Sequence, residues 1–296
     1  MVSKEEKDID IFGYAPFLFI HLGSLLVLFA GVSYPALIVC FALWFVRMFG
    51  ITAGYHRYFS HRTYKTSRQF QFLLAVLGNS SVQLGPLWWA AHHRHHHLHV
   101  DTEQDIHSPM VSGFWWSHMG WIMCPKYSET NEKVIRDFAK YPELRLLNQF
   151  PTVVPIALAL TVTGVGMLLQ HYVPQSGTNG FQMLAWGFFF STLVLYHTTF
   201  TINSLAHTFG TRRFDTADTS RNNLFLALIT LGEGWHNNHH YYPASERQGF
   251  YWWEIDVAHY ILKVLAWLGL VWDLKAPPKT IYDKANTHRE FKSNQT

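Results

Sequence analysis

Six of the eight residues from His92 to His99 are histidines: His92, His93, His95, His96, His97 and His99, around Arg94 and Leu98. Spacing sorts them. His93, His96 and His97 follow an H-x-x-H-H pattern, and positions i, i+3 and i+4 share one face of a helix. The same pattern recurs at His236, His239 and His240 in GEGWHNNHH. Asn203 and His207 of NSLAH are also i, i+4. His56 and His61 of HRYFSH are i, i+5, about 140° apart on a regular helix; they need not serve the same metal, unless the helix ends between them. Neutral imidazole is a ligand for Zn, Cu, Fe and Ni, and a zinc site takes three or four ligands. Nine histidines from four places in the chain are too many for one ion and suit two.

Other readings of the histidines carry less. A purification tag sits at a terminus, and a pH sensor would use scattered titratable rings rather than two copies of one spacing. His21, His171, His197 and His259 read as satisfied packing residues. His92, His95, His99, His107 and His118 read as supporting or packing residues around the boxes.

The elements that must position these rings are apolar. The chain has 296 residues, 49% hydrophobic and 15% charged, against about 25% charged in soluble domains. Four stretches approach the roughly 20 residues that cross a bilayer of about 30 Å: about 13–32, 36–55, 150–170 and 182–203. The short linkers 33–35 and 171–181 hold no Lys or Arg, whereas 56–149 and 204–296 hold ten each. The positive-inside rule then places both termini and both long polar segments in the cytoplasm. The expected fold is an all-α membrane protein, a single domain over 1–296, with four spans and a helical cap built from 56–149 and 204–296. The stretches 70–91 and 251–272 are expected as helices lying in the membrane interface or packed in the cap, and the polar tail from about Pro277 as loose. The mixed-sign N-terminus lacks the pattern of a cleaved signal peptide. A net charge of +3 gives no sign of a nucleic-acid partner, and Cys40 and Cys124 suggest neither a zinc pair nor a disulfide framework.

Two iron ions are the economical choice when the substrate lies in the membrane, because activated O2 can take hydrogen from an unactivated CH2 and no side chain can. HRYFSH, HRHHH, NSLAH and GEGWHNNHH resemble the histidine boxes of the integral-membrane acyl desaturases, the stearoyl-CoA desaturase type. Their order, spacing and span layout match over roughly residues 10–275. The resemblance implies a mushroom-like four-helix fold with a cytosolic cap over a di-iron site. It implies that O2 and two electrons convert a CH2–CH2 of a long saturated acyl-CoA, near carbon nine, to a cis double bond. It also implies ligand roles for His56, His61, His93, His96, His97, His207, His236, His239 and His240, with Asn203 contributing through a water.

Where acyl-CoA members hold the CoA headgroup, this chain has Leu84, Ala91, His92 and Pro125, with only Lys126 basic. An acyl-lipid desaturase is therefore the alternative substrate class. The short chain looks bacterial, which implies an inner-membrane location with a cytoplasmic active site. No fused electron carrier is expected, so a separate ferredoxin, rubredoxin or b-type cytochrome with its reductase must donate, docking on Arg57, Arg62, Lys65 and Arg68. The aromatic stretch 114–121, with Trp88 and Trp89, is suited to lining an acyl tunnel or to anchoring in the interface. A membrane di-iron hydroxylase begins with the same hydrogen removal and differs in its product. A transporter would place ionisable ligands near the bilayer midplane, whereas these boxes lie beyond the span ends.

Overall fold

A computed structural model describes Asp10 and residues 15–282; most of the charged N-terminal stretch and the end of the polar tail lie outside the described residues. Among the described residues, three helices are long and apolar enough to cross a membrane: Tyr34–Ser60, Val153–Tyr172 and Gly180–His207. The expected span at 13–32 is instead two pieces, α1 (Ala15–Ser24) and α2 (Val27–Ala30), separated by a turn at Leu25 and Leu26. Together they fall short of the roughly 20 residues of a full crossing, although Phe19, Leu22, Leu28 and Phe29 stand exposed.

The second apolar helix starts where Ser33 caps it, accepting from the Ala36 amide at 3.4 Å, with Pro35 in its first turn. It runs as α3 (Tyr34–Phe49) and then widens into a π-helix over Gly50–Ser60. Gly50 and Gly54 lie against α4 (Arg68–Asn79); a Cβ on Gly50 would stand 2.7 Å from the Leu77 carbonyl carbon. Glycine is thus required for this close approach. After α4 the chain reverses through Val82 and Leu84, both with positive φ, and enters α5 (Pro86–His99). The stretch 70–91 is therefore two helices around a tight turn and not a fifth span, which agrees with the charge map.

A short helix, α6 (Phe114–His118), packs on the last apolar helix. The third, α7 (Val153–Tyr172), turns Ile156, Leu160, Met167 and Leu168 outward. A helix with its apolar side chains outside and its backbone bonds internal is suited to lipid contact. The last opens with an α-helical turn at Gly180–Gln182, widens into a π-helical stretch at Met183–Phe190, continues as α8 (Ser191–Ser204) and ends in a 3-10 turn at Leu205–His207. Between these helices the buried cation Arg47 is held by Leu43 and Ser80 carbonyls and by the hydroxyls of Thr192 and Ser191 at 2.7 and 2.6 Å. His21 and His197 do pack as satisfied groups: they meet at 3.3 Å, and His197 reaches His118, which bonds Ser204.

The polar segment after the last apolar helix carries α9 (Leu224–Ile229), α10 (His236–Tyr241) and α11 (Val257–Trp267), and a two-residue β1–β2 ladder pairs Lys65 with Trp272 and Thr66 with Val271. Only Val257–Trp267 of the 251–272 stretch is helical; Asp256 caps it at 3.0 Å, and Trp252 and Trp267 project outward. The main core lies between the π-helix, α4 and α5, around Tyr55, Phe59, Leu74 and Leu87.

Candidate metal centre

All four histidine boxes converge. The π-helix decides the first. In an i→i+5 helix, residues five apart return to the same side, and the His61 amide donates to the His56 carbonyl at 3.2 Å. The 140° separation of a regular helix therefore does not apply, and the two rings sit 4.9 Å apart, centroid to centroid. The H-x-x-H-H boxes behave differently from the single-face expectation: each divides. His56, His61, His93, His97 and His239 form one group, and His96, His207, His236 and His240 form another, each ring offering one nitrogen within 4.8 Å of the others in its group. His97 belongs with His93 as its i+4 neighbour, whereas His96 is rotated about 100° from His97. His236 and His240 pair in the same way on α10, and His239 faces the other group. The groups adjoin, with His97 and His240 rings 4.6 Å apart.

Within the groups the Nε2 atoms face one another. His56 and His97 both meet His239 at 3.0 Å, His61 meets His93 at 2.9 Å, and His207 meets His236 at 3.1 Å. Several Nδ1 atoms are turned outward to carboxylates. His56 contacts Glu233; His96 bonds Asp105 at 2.9 Å; His240 bonds Asp218 at 3.1 Å; His207 lies 3.6 Å from Asp101 and 3.3 Å from Thr219. A carboxylate on Nδ1 fixes the proton there. It leaves Nε2 as a lone pair pointing at other lone pairs, an arrangement that a cation resolves. His240 Nε2 is buried without any hydrogen-bond partner. The donor set therefore fits metal ions, one per group.

Burial lowers the pKa of His61, His93, His97, His236 and His239 well below the ordinary imidazole value, and neighbouring rings reinforce it. Burial likewise brings His240 down to about 4, against the opposing bond to Asp218. These rings are neutral at pH 7, the form that ligates. Burial opposes ionisation of Asp101, Asp105 and Asp218, but the histidines they face, with hydroxyl or backbone donors, outweigh it and hold all three below the usual carboxylate range.

The carboxylates were not legible as site residues, although Glu233 stands inside GEGWHNNHH and Asp101 and Asp105 follow the second box. Arg57 was legible only as a basic residue, and its expected docking role is corrected. It is 1% exposed and bonds Glu233, Glu246 and Asp256, so it supports the site from behind. Arg62, Lys65 and Arg68 are exposed and paired with Asp137, Asp273 and Glu143. Gly232, at φ 127°, leaves room for this cluster: a Cβ there would collide with Asp256 and stand 2.8 Å from Arg57. The two asparagines inside the last box are buried. Asn237 accepts from the Arg213 and Phe214 amides, and Asn238 donates to Gln248 and Glu254.

An apolar cavity of about 440 Å3 adjoins the groups. Phe17, Trp88, Trp89, Trp121, Tyr196 and Phe200 line it, and His93, His107 and Asn203 border it. Of the aromatic stretch expected to line a tunnel, Trp121 does so, Trp116 packs in the cluster with Trp88 and Trp121, and Trp115 is 68% exposed. The His107 ring lies 4.3 Å from that of His96, tilted by 30°. Asn203 stands on the cavity wall, its carbonyl bonded by Ser117. A more polar groove of about 800 Å3 shares His92 with the cavity and carries Glu103, Lys126, Glu129, Glu132 and Lys133.

The sequence profile of the fatty acid desaturase family matches residues 17–273. The chain is 35% identical over 267 residues to an sn-1 stearoyl-lipid 9-desaturase of Anabaena variabilis, covering 89% of this chain and 93% of that one. It is 35% identical over 288 residues to the Delta-9 acyl-lipid desaturase 1 of Arabidopsis thaliana, covering 95% and 88%. It is 37% identical over 251 residues to an acyl-CoA C20 Delta5-desaturase of Anemone leveillei, covering 83% and 75%. With two clusters of metal-competent histidines beside an apolar cavity, and this likeness over nearly its whole length, the chain belongs to the fatty acid desaturase family, oxidoreductases acting on fatty acids.

Proposed function

We propose that this chain is an O2-dependent fatty acyl desaturase that places a cis double bond near carbon nine of a long saturated chain, with the acyl group carried on a membrane lipid. The observation that carries the reading is the meeting of nine imidazoles in two groups, with His93 on the wall of an apolar cavity. His56, His61, His93, His97 and His239 would hold one iron, and His96, His207, His236 and His240 the other, with Asn203 completing the second site through a water. When bound, the pair supplies the oxidising power that side chains lack. The balance is one CH2–CH2, one O2, two electrons and two protons giving one CH=CH and two waters.

The chain's own residues do the rest. Trp88, Trp89, Trp121 and Phe200 enclose the acyl chain and exclude water. Asp101, Asp105, Asp218 and Glu233 hold the Nδ1 protons and so aim the Nε2 lone pairs inward. Exposed Arg62, Lys65 and Arg68 offer a docking face to a separate electron donor, a ferredoxin, a rubredoxin or a b-type cytochrome with its reductase. The one-sided distribution of Lys and Arg supports a cytoplasmic centre.

Both acyl-CoA and acyl-lipid desaturases occur among the relatives. The polar groove that shares His92 with the cavity favours the lipid. Its three glutamates against two lysines make a poor cradle for the phosphates of CoA and suit a neutral, hydroxyl-bearing headgroup. Expression in a host lacking its own desaturase, followed by double-bond location in the lipids, tests the function. Isolated membranes given the same labelled acyl chain on glycerolipid or on CoA test the carrier. The expected product is a carbon-nine alkene on the glycerolipid. A hydroxylated product would favour a hydroxylase, and faster turnover of acyl-CoA would overturn the lipid assignment.

A further inference from the structure

The two histidine groups differ in what stands behind them. In the four-ring group, three histidines face carboxylates through Nδ1: His96 on Asp105, His240 on Asp218 and His207 on Asp101. Hydroxyls and backbone amides satisfy these carboxylates. Thr219 donates twice to Asp101 at 2.7 Å and Ser108 once at 2.6 Å. Ser220 donates to Asp218 at 2.9 Å, and the Asp101 amide to Asp105 at 2.9 Å. Among the described residues no Lys or Arg pairs with any of the three. In the five-ring group, Glu233 alone faces a ring, that of His56, and Arg57 binds the same carboxylate at 3.3 Å. Glu246 and Asp256 bind the other nitrogens of that guanidinium, one layer further from the rings. Arg94, beside this group, is paired with Asp137.

Imidazole is neutral, so ring number does not set the charge at either position; the layer behind the rings does. A negative charge bonded to a ligand stabilises the more highly charged metal, and buried charges are weakly screened. We propose that the two iron positions are unequal in reduction potential: the one formed by His96, His207, His236 and His240 keeps Fe3+ longer, and the first electron delivered to the oxidised pair resides at the five-histidine position. Asp101, Asp105 and Asp218 are then positioning residues that act through their histidines. The inference rests on the two-iron reading above.

Full-length protein in detergent micelles, loaded with 57Fe, is titrated with reductant and followed by Mössbauer spectroscopy. The expected result is two resolved one-electron steps, with one iron subspectrum converting before the other. Asp218→Asn, retaining two irons, should move only the later step to more positive potential; Asp101→Asn takes its place where iron is lost. Glu143→Gln, a surface control, should move neither. Fewer than two irons in the parent chain would overturn the proposed function itself. Two irons reduced in one indistinguishable step, or an equal shift of both steps in the Asp variant, would overturn this inference alone.

Discussion

Arg57→Met isolates the buried ion cluster behind the histidines. Arg57 is 1% exposed, and its guanidinium touches Glu233 at 3.3 Å, Glu246 at 3.5 Å and Asp256 at 2.9 Å, besides donating to the Glu246 carbonyl at 2.9 Å. Methionine keeps much of the volume and removes the charge. Three buried carboxylates then lose their only shared cation. Removing one partner of a buried pair costs about 3–5 kcal/mol. At about 2–4 °C per kcal/mol for a chain of this size, the melting temperature should fall by about 6–20 °C, read by the fluorescence of thermally unfolding protein in detergent. Arg57→Lys should recover part of the loss, because the charge remains and the planar fork does not. The pH dependence gives a second test. Burial opposes ionisation of Asp256, but Arg57 outweighs it and lowers its pKa. Its contribution is therefore present above the unfolded value of about 3.9 and is lost as pH falls below it. In the methionine variant the unpaired carboxyls take up protons more readily, so the gap between parent and variant should narrow from pH 7 toward pH 4. A variant that melts with the parent at every pH, or one impaired only in its use of an electron donor, would refute the account and return Arg57 to a docking role.

Three other outcomes follow from the same geometry. His239→Ala and His96→Ala should each lose bound iron and activity while the protein still inserts in the membrane; metal analysis of the membrane fraction checks this, and full activity in either would remove that ring from the ligand set. The buried rings are held neutral in the folded protein, burial lowering His240 to about 4, so stability is retained above the unfolded histidine value of about 6.5 and is lost progressively as pH falls toward the folded value; the melting temperature of metal-free protein should decline between about pH 6.5 and 4. Ile122→Trp, on the wall of the apolar cavity, should shorten the acyl chains accepted, seen as a shift in product length in the desaturase-deficient host with iron content unchanged.

The histidine centre was largely legible in the sequence because ligand chemistry writes itself as residue type and spacing. All nine boxed histidines meet. Their division was not legible, since it depends on rotation about α5 and α10 and on where neighbouring helices stand. HRYFSH misleads for a physical reason: its i, i+5 spacing separates the rings on a regular helix, whereas the backbone adopts the wider π form where Gly50 and Gly54 press on α4. Three apolar spans were visible from hydropathy, while 13–32 showed its apolar length but not the interruption at Leu25–Leu26. The supporting carboxylates were hidden because a lone Asp or Glu in a polar segment looks like solvated surface until folding buries it. Arg57 shows the same limit, since a basic residue beside a box reads as an outward charge.

The widened turn at Gly50–Ser60 ties two ligands to one backbone hydrogen bond, from the His61 amide to the His56 carbonyl. Their relative placement is thus inherited from main-chain geometry. One edge of the centre stands at the tip of a long apolar helix, and the later boxes pack against it. Ordinary winding over these same residues, with none removed, would return the two rings to about 140° apart and take one of them out of the five-ring group.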